Sequence, residues 1–262
     1  MKTKIKAIAV TGKGGVGKTI FTYLLSKQFI EAGIHPLLVD GDPTTSHLLN
    51  ILNQTNSVDL STNTLESIRK RIIKVAVQGN EDENQKVAEN IDSIVTQSII
   101  KTEQYSLLVM GQPDSKGCFC ASNVLLRDVI SNVISNYDIV LIDAEAGLEQ
   151  IHRQVMGDID YLIVLSDYSL RSVETANSIA NSADKFIDFK KIGLVVNKKM
   201  GDLDEKFKEK IGEVGFEIIG EVPFDEALMK AEQMGESLDT LKKDSKAVKA
   251  IKKIAQNILS NE

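Results

Sequence analysis

The residues with the clearest chemistry are positions 12–19, which read G-K-G-G-V-G-K-T. Glycines at this spacing let successive backbone N–H groups converge on phosphate oxygens, and the helix that follows adds the partial positive charge of its N-terminus. Lys18 can reach the β- and γ-phosphates, and the hydroxyl of Thr19 can bind Mg²⁺. The pattern predicts a site for a nucleoside triphosphate with Mg²⁺. Its predicted nucleotide contacts are Gly12, Lys13, Gly14, Gly15, Val16, Gly17, Lys18, Thr19 and Ile20.

Carboxylates follow two other apolar runs. Asp40 and Asp42 come where the run 36–40 ends, and residues i and i+2 of an extended chain share a face, so both side chains can point toward the phosphates. A polar turn closed by Pro43 is the alternative explanation of this pair. Asp143 ends the run 138–143 and is a candidate to hold Mg²⁺ through water.

The segment from Asn197 to Met200, which reads N-K-K-M, bears on the identity of the base. Guanine-specific sites use Asn-Lys-x-Asp, in which the final carboxylate accepts two hydrogen bonds from guanine. Met200 stands at that position and cannot accept them. The amide of Asn197 can donate to and accept from an adenine edge, with Lys198 beside it, although Asn197 can also be an ordinary strand-end residue. The segment favours ATP over GTP.

Two cysteines, Cys118 and Cys120, lie in a Gly/Pro-containing loop at 111–122. In an extended loop the two thiols project the same way and can bind one soft metal, whereas most cytosolic cysteine pairs are inert thiols. Two thiolates fill half of a tetrahedral Zn²⁺- or Ni²⁺-type site. A homodimer that brings two loops together supplies all four sulfurs.

The composition sets limits on function. A chain of 262 residues is long enough for one large α/β domain, and a net charge of -6 argues against a nucleic-acid-binding surface. No apolar run is long enough to span a bilayer, and the N-terminus lacks the apolar region of a signal peptide. With two cysteines no disulfide framework is expected. We expect a cytoplasmic protein for which membrane partners are unlikely.

The elements that must position these residues alternate between short apolar strands and longer helices. This pattern predicts an α/β fold over residues 1–262: a single P-loop NTPase domain with a mostly parallel sheet and helices on both faces. The segment 44–104 has the least regular pattern, and a mobile lid is one interpretation of it. The predicted strands are 4–11, 36–40, 105–110, 138–143, 160–165, 191–196 and 216–220. The predicted helices are 17–32, 64–77, 123–135, 170–185, 203–213 and 244–259.

The loop G-K-G-G-V-G-K-T, with its early lysine, resembles the deviant Walker A motif of the ATPase class that contains the nitrogenase iron protein, the Min and Par positioning ATPases and the arsenite-pump ATPase. The resemblance implies that Lys13 crosses a dimer interface to the partner's nucleotide. It implies that Asp42 activates or orients the attacking water, that Asp40 lies near Mg²⁺, and that Asp143 opens the second switch. We therefore assign catalytic roles to Asp42, Lys13 and Lys18.

The same class has a later loop that packs around adenine. The segment V-P-F-D at 222–225 resembles this loop, which implies base contacts from Pro223 and Phe224.

The resemblance to one subgroup of the class is more specific. The motif M-G-x-P…G-C-x-C…N-x-L-L-R at 110–127 resembles that of the nickel-insertion accessory ATPases of carbon monoxide dehydrogenase, the CooC type. Segments 143–153 and 166–176 also resemble that family, and the likeness covers most of residues 4–235.

This family resemblance implies that Cys118 and Cys120 of two protomers bind one metal at the dimer interface. It also implies that ATP hydrolysis drives maturation of a nickel-iron-sulfur client enzyme. Two positions depart from the family pattern: Ile20 replaces a hydroxyl residue, and Gln150 stands where a histidine is common.

Two further readings stay open at this stage. One is a Min-like spatial switch that cycles onto membranes through the basic, amphipathic stretch at 244–259, although docking of that helix on the core is favoured because it has no Trp or Phe. The other is an ATP-gated electron donor that holds an iron–sulfur cluster between two C-x-C loops.

Overall fold

One eight-stranded sheet organises the computed structural model of the chain, which describes residues 6–41, 47–56, 64–68, 90, 93–110, 132–144, 158–185 and 187–260. Its strands are β1 (Ala7–Gly12), β2 (Leu37–Asp40), β3 (Ile100–Lys101), β4 (Ser106–Val109), β5 (Val140–Asp143), β6 (Asp158–Ser166), β7 (Asp188–Lys199) and β8 (Ile218–Pro223). Their order is β3-β4-β2-β5-β1-β6-β7-β8. All neighbours are parallel except β3 and β4, which are antiparallel.

The seven predicted strands are all present, with ends shifted by a few residues. Every residue of β1, β2, β4 and β5 is buried, as expected for apolar strands that are covered on both faces of a parallel sheet. The two-residue β3 was not predicted because so short a segment has no periodic pattern of its own.

Helices lie on both faces of the sheet. They are α1 (Lys18–Glu31), α2 (His47–Asn56), α3 (Leu170–Ala183), α4 (Glu205–Val214), α5 (Glu226–Met234) and α6 (Lys246–Ser260). The predicted helices 17–32, 170–185, 203–213 and 244–259 are confirmed as α1, α3, α4 and α6. The predictions for 64–77 and 123–135 fall largely outside the described residues, although 65–68 and 132–134 are helical.

The prediction missed α2, α5 and the helical residues 93–98. α2 falls in the segment 44–104, where a lid was one interpretation, and its described apolar side chains are instead core residues, with Leu48 fully buried and Leu52 nearly so. The remainder of that segment is only partly described.

Two hydrophobic clusters hold the layers together. One lies on the face covered by α3 and α4 and includes Phe207, and the other lies beneath α1, α2 and α6. Five apolar residues of α6 lie in the second cluster and are at most 2% exposed, and three more pack against it while partly buried. The five are Ala247, Ile251, Ile254, Ala255 and Ile258, and the three are Val248, Ala250 and Leu259. The expectation that this helix docks on the core is confirmed. None of the helices described here combines the length and the apolarity needed to cross a bilayer.

Candidate functional site

The loop between β1 and α1 has the backbone that its glycines permit. Gly12, Gly15 and Gly17 have φ values of 151°, 75° and 94°, a region that side chains with a Cβ rarely adopt. At Gly12 a Cβ would lie 2.4 Å from the carbonyl oxygen of Leu165 in β6. Gly17 forms the N-cap of α1. Because the N-terminus of a helix presents free N–H groups, this loop fits a phosphate chain.

Lys18 lies within this cradle rather than in solvent. Its side chain is buried, and its Nζ donates a hydrogen bond to the carbonyl oxygen of Lys13 at 3.2 Å. The amine therefore folds back across the loop, close to where the loop would hold phosphates. Lys13 is half-buried in the same loop. The predicted contact of Lys13 with the nucleotide of a second protomer would form only in a dimer, and it stays a prediction.

Two aspartates lie side by side at the carboxyl edge of the sheet. Asp40 at the end of β2 and Asp143 at the end of β5 are register partners, and Val10 of β1 is the partner of Asp143 on its other side. Both carboxylates are fully buried. Because β1 continues directly into the phosphate loop, the strand order brings these carboxylates and Thr19 to one edge. Hydroxyl and carboxylate oxygens are the ligands that Mg²⁺ prefers, so the residues present fit that ion.

The carboxylate of Asp40 also has a structural role. Its Oδ2 accepts a hydrogen bond from the backbone N–H of Leu49 at 2.9 Å, in the first turn of α2. The backbone N–H of Gly41 donates to the carbonyl oxygen of Asp143 at 3.0 Å. These two bonds fix the chain on both sides of residues 42–46. Asp42, the predicted catalytic residue, lies in that segment, outside the described residues.

A cavity of about 130 Å³ opens beside the phosphate loop. Pockets for complete small molecules usually measure roughly 300–1,000 Å³, so this one suits a single ring system, such as a base. Six predicted nucleotide contacts line it: Gly17, Ile20, Asn197, Lys198, Pro223 and Phe224. The structure thus brings together residues that are more than 200 positions apart in the sequence.

The residues at the end of the buried part of β7 contact the phosphate loop directly. Asn197 donates from Nδ2 to the carbonyl oxygen of Val16 at 2.9 Å, and Lys198 donates from Nζ to that of Gly15 at 3.3 Å. Lys198 has a left-handed backbone with φ 56°, which is uncommon for a residue with a Cβ. A Cβ on Gly17 would lie 2.8 Å from Nδ2 of Asn197, so the loop and this amide need a glycine there.

Helix α5 forms a wall of this cavity that was not predicted from the sequence. Its lining residues from this region are Asp225, Leu228, Met229 and Glu232. The signal for the helix was present, because Asp225 precedes it as N-cap, Glu226 follows in its first turn and Gly235 ends it in the left-handed conformation.

Asp225 holds the loop that follows β8 in place. Its Oδ1 accepts from the backbone N–H groups of Ala227 and Leu228, and its Oδ2 accepts from Oγ of Ser245 at 2.7 Å and from the N–H of Ala247 at 3.1 Å. Partial burial acts to raise the pKa of Asp225, but the hydrogen bonds, led by that from Ser245, hold this pKa below its ordinary value. One carboxylate therefore joins the starts of α5 and α6.

Cys118 and Cys120, and the whole loop at 111–122, lie outside the described residues, so their metal site stays a prediction. Within the described part of the chain no group of three or more His, Cys, Asp or Glu side chains is arranged to hold a metal ion.

Comparisons with known proteins agree with this geometry. A family model described as an AAA domain matches residues 3–196. An uncharacterized ATP-binding protein of Methanocaldococcus jannaschii is 33% identical over 97% of this chain and 99% of its own length. The carbon monoxide dehydrogenase accessory protein CooC of Rhodospirillum rubrum is 28% identical over 87% of each chain. In fold, the chain is similar to the MinD cell division protein of Aquifex aeolicus, with a TM-score of 0.66 over 97% of both chains at 19% identity.

The matched family region begins just before β1 and ends within β7, so it contains the phosphate loop, Asp40 and Asp143. The likeness to MinD agrees with the mostly parallel sheet and its two helical layers. The sequence likeness to CooC extends over most of the chain. The chain therefore belongs to the AAA domain family, as a P-loop protein of the MinD/ParA-like fold with a CooC-like sequence.

Proposed function

We propose that this protein is an ATPase that works as a homodimer in maturing a nickel-containing metalloenzyme of the carbon monoxide dehydrogenase type. The observation that carries the proposal is the likeness to CooC, which extends over 87% of both chains. The phosphate loop, the two buried carboxylates and the base-sized cavity support the nucleotide part of it.

In this mechanism the residues of the site have separate roles in binding the phosphates, holding Mg²⁺ and activating water. The N–H groups of residues 14–19 and the amine of Lys18 bind the phosphates, and Lys13 reaches the phosphates of the partner's nucleotide. Thr19, Asp40 and Asp143 would hold Mg²⁺, which supplies charge neutralisation of the phosphate oxygens. Asp42 orients the attacking water and accepts its proton.

The base preference follows from the cavity beside the loop. The amide of Asn197 keeps one N–H and its Oδ1 for a base after donating to Val16, and Phe224 lines the cavity. Met200 at the position of the guanine-reading carboxylate is 66% exposed and offers no acceptor for guanine. We infer that ATP is preferred over GTP.

The metal part of the proposal rests on Cys118 and Cys120. A two-fold dimer would supply four thiolates to one Zn²⁺ or Ni²⁺ ion, and nucleotide-driven movement of the dimer would change how tightly that ion is held. The nickel-iron-sulfur enzyme is then the client that receives the metal or is activated by the cycle.

The burial of the apolar face of α6 bears on the Min-like alternative. A helix that binds membranes presents its apolar residues to lipid, whereas here Ile251, Ile254 and Ile258 are at most 2% exposed and the remaining large apolar residues of α6 are partly buried against the core. A membrane-cycling switch based on this helix would have to pull it off the core first.

The proposal is tested by reconstituting a nickel-free carbon monoxide dehydrogenase with Ni²⁺, Mg²⁺ and ATP, with and without this protein. We expect enzyme activity to appear faster and at lower Ni²⁺ when the protein is present. Replacing ATP by a non-hydrolysable analogue, or the protein by Lys18→Ala, should remove the effect. Activation that is independent of both protein and ATP would contradict the proposal, and iron bound to the purified protein would favour the electron-donor alternative.

A further inference from the structure

A groove between helix α6 and strand β8 plays no part in the nucleotide chemistry above. Two adjoining cavities, of about 420 and 450 Å³, form it and share Ile219, Ile254 and Asn257. β8 is the last strand of the described sheet on this side, so the groove lies at the sheet's edge. Each cavity is larger than the base-sized cavity beside the phosphate loop.

One wall of the groove is basic. Lys246, Lys249 and Lys253 line it at positions i, i+3 and i+7 of α6, which places them in one stripe along the helix. All three are exposed, and no acidic side chain in the described part of the chain lies within salt-bridge distance of them. These three lysines form a positively charged stripe on a protein whose net charge is -6.

The opposite wall does not cancel this charge. Glu221 lines the groove but is paired with Lys199. Glu217 lines the other cavity together with Lys191. Cations therefore outnumber anions along the groove, and the potential there favours an anionic occupant.

The floor of the groove is apolar, with Ala250, Ile254 and Ile219 half-buried or buried. The β8 backbone is a poor template for an added strand, since Ile219 is an extra residue between the pairs that Ile218 and Gly220 form with β7. A bulge of this kind and the terminal Pro223 both protect an edge strand from pairing. Binding must therefore come from side chains, with cations along one wall and apolar contacts below.

The shape of the groove distinguishes between two kinds of anionic partner, a lipid surface and a protein segment. A flat anionic lipid surface is reached most easily by cations on a convex face, and apolar side chains that enter the lipid strengthen binding; most of the apolar face of α6 is instead packed against the core. The cations here line a concave groove instead. A chain segment, whose side chains can reach the floor while its carboxylates meet the lysines, fits this shape better.

We propose that this groove is a docking site for an extended acidic segment of a partner protein, one in which apolar side chains alternate with Asp or Glu. The carboxylates pair with the lysine stripe of α6, and the apolar side chains enter the groove above Ala250 and Ile254. Because the charges are at the surface, this binding is sensitive to salt.

The test uses the full chain and a fluorescein-labelled short peptide of alternating glutamate and valine as the probe. Binding is followed by fluorescence anisotropy against the wild type, a groove variant (Lys246→Glu, Lys249→Glu and Lys253→Glu) and a control variant (Lys101→Glu, Lys185→Glu and Lys206→Glu). The control lysines are exposed and lie outside the groove, and both variants change the net charge equally. ATP binding by both variants shows that they are folded.

We expect the groove variant to bind the peptide at least about tenfold more weakly than the wild type and the control variant to stay within about twofold. Added NaCl should weaken the wild-type complex, and a peptide with lysine in place of glutamate should not bind. Absence of peptide binding, or an equal loss in both variants, overturns the proposal. The proposal is also overturned if the peptide does not bind while the wild type and the control variant bind phosphatidylglycerol vesicles and the groove variant does not.

Discussion

The side-chain amide of Asn197 donates a hydrogen bond to the backbone carbonyl of Val16 at 2.9 Å, which joins the end of β7 to the phosphate loop. Asn197 is only 9% exposed, so this bond forms in a largely dry environment, where losing it costs more than at the surface. One side chain thus supports the loop that binds phosphate and lines the cavity that suits the base.

Asn197→Ala should weaken ATP binding by about 2- to 10-fold, because one buried hydrogen bond to the loop and the contacts to adenine are lost together. The preference for ATP over GTP should fall as well, which competition between the two nucleotides measures. Asn181→Ala, which removes an exposed amide on α3, is the matched control and should leave both quantities unchanged. An equal loss of ATP and GTP binding would mean that Asn197 supports the loop without reading the base.

Lys18→Ala and Asp42→Asn should separate binding from turnover. Removing the amine of Lys18 takes away a cation that pairs with ground-state phosphate charge, so both ATP binding and hydrolysis should be lost. Asp42→Asn should keep ATP bound but slow hydrolysis by about 10²- to 10⁴-fold, since the group that accepts the proton of water is gone. Calorimetry and phosphate release measure the two effects, and an unchanged rate for Asp42→Asn would remove Asp42 from the mechanism.

Lys13→Ala should leave ATP bound, slow hydrolysis and weaken the ATP-stabilised dimer. Mixing this variant with Lys18→Ala distinguishes a contact within one protomer from one across the dimer. If Lys13 acts across the dimer, each mixed dimer has one complete site, and random pairing should restore about a quarter of the wild-type rate. If Lys13 acts within its own protomer, no mixed site is complete and the mixture stays inactive.

Replacing both Cys118 and Cys120 by Ser should abolish binding of one soft divalent metal per dimer and shift the protein toward monomer. The reason is stoichiometric: the chain has two cysteines, and a four-thiolate site needs two chains. Elemental analysis and light scattering on the same samples measure metal content and mass, while nucleotide binding serves as the control for folding. One metal per monomer, or unchanged metal content in the variant, would contradict a shared site.

Asp225→Asn should lower the free energy of unfolding by roughly 1–2 kcal/mol at neutral pH. The amide oxygen can still cap α5, but an NH2 group replaces Oδ2, which accepts from Ser245 and from the N–H of Ala247 at the start of α6. The native pKa of Asp225 is lowered, so its contribution is complete above the unfolded-state pKa and is lost as pH falls through the native value. The difference between wild type and variant should be constant above about pH 5 and shrink in acid. Urea unfolding at several pH values measures it, with exposed Asp244→Asn as the control.

Local sequence was sufficient for the phosphate loop, the seven apolar strands and four helices. Each of these is encoded by neighbours in the chain: glycine spacing fixes the loop, and uninterrupted apolar runs identify strands buried on both faces. The same reasoning placed Asp40 and Asp143 at strand ends, and the parallel sheet makes them register partners. α5 was missed although its capping residues, Asp225 and Gly235, are present in the sequence, because a nine-residue helix has a short periodic pattern. α2 was missed because it lies in the segment 44–104, which has the least regular pattern.

Tertiary structure alone decided two matters. Gly17, Asn197 and Phe224 line one cavity because β1, β7 and β8 run parallel and their carboxyl ends reach the same edge, a relation that no local pattern contains. The amphipathic stretch of α6 predicted an apolar face but not what covers it, since periodicity encodes which residues share a face and not the surface they meet. Packing on the sheet buries Ile251 and Ile254 and leaves the lysine stripe beside an open groove.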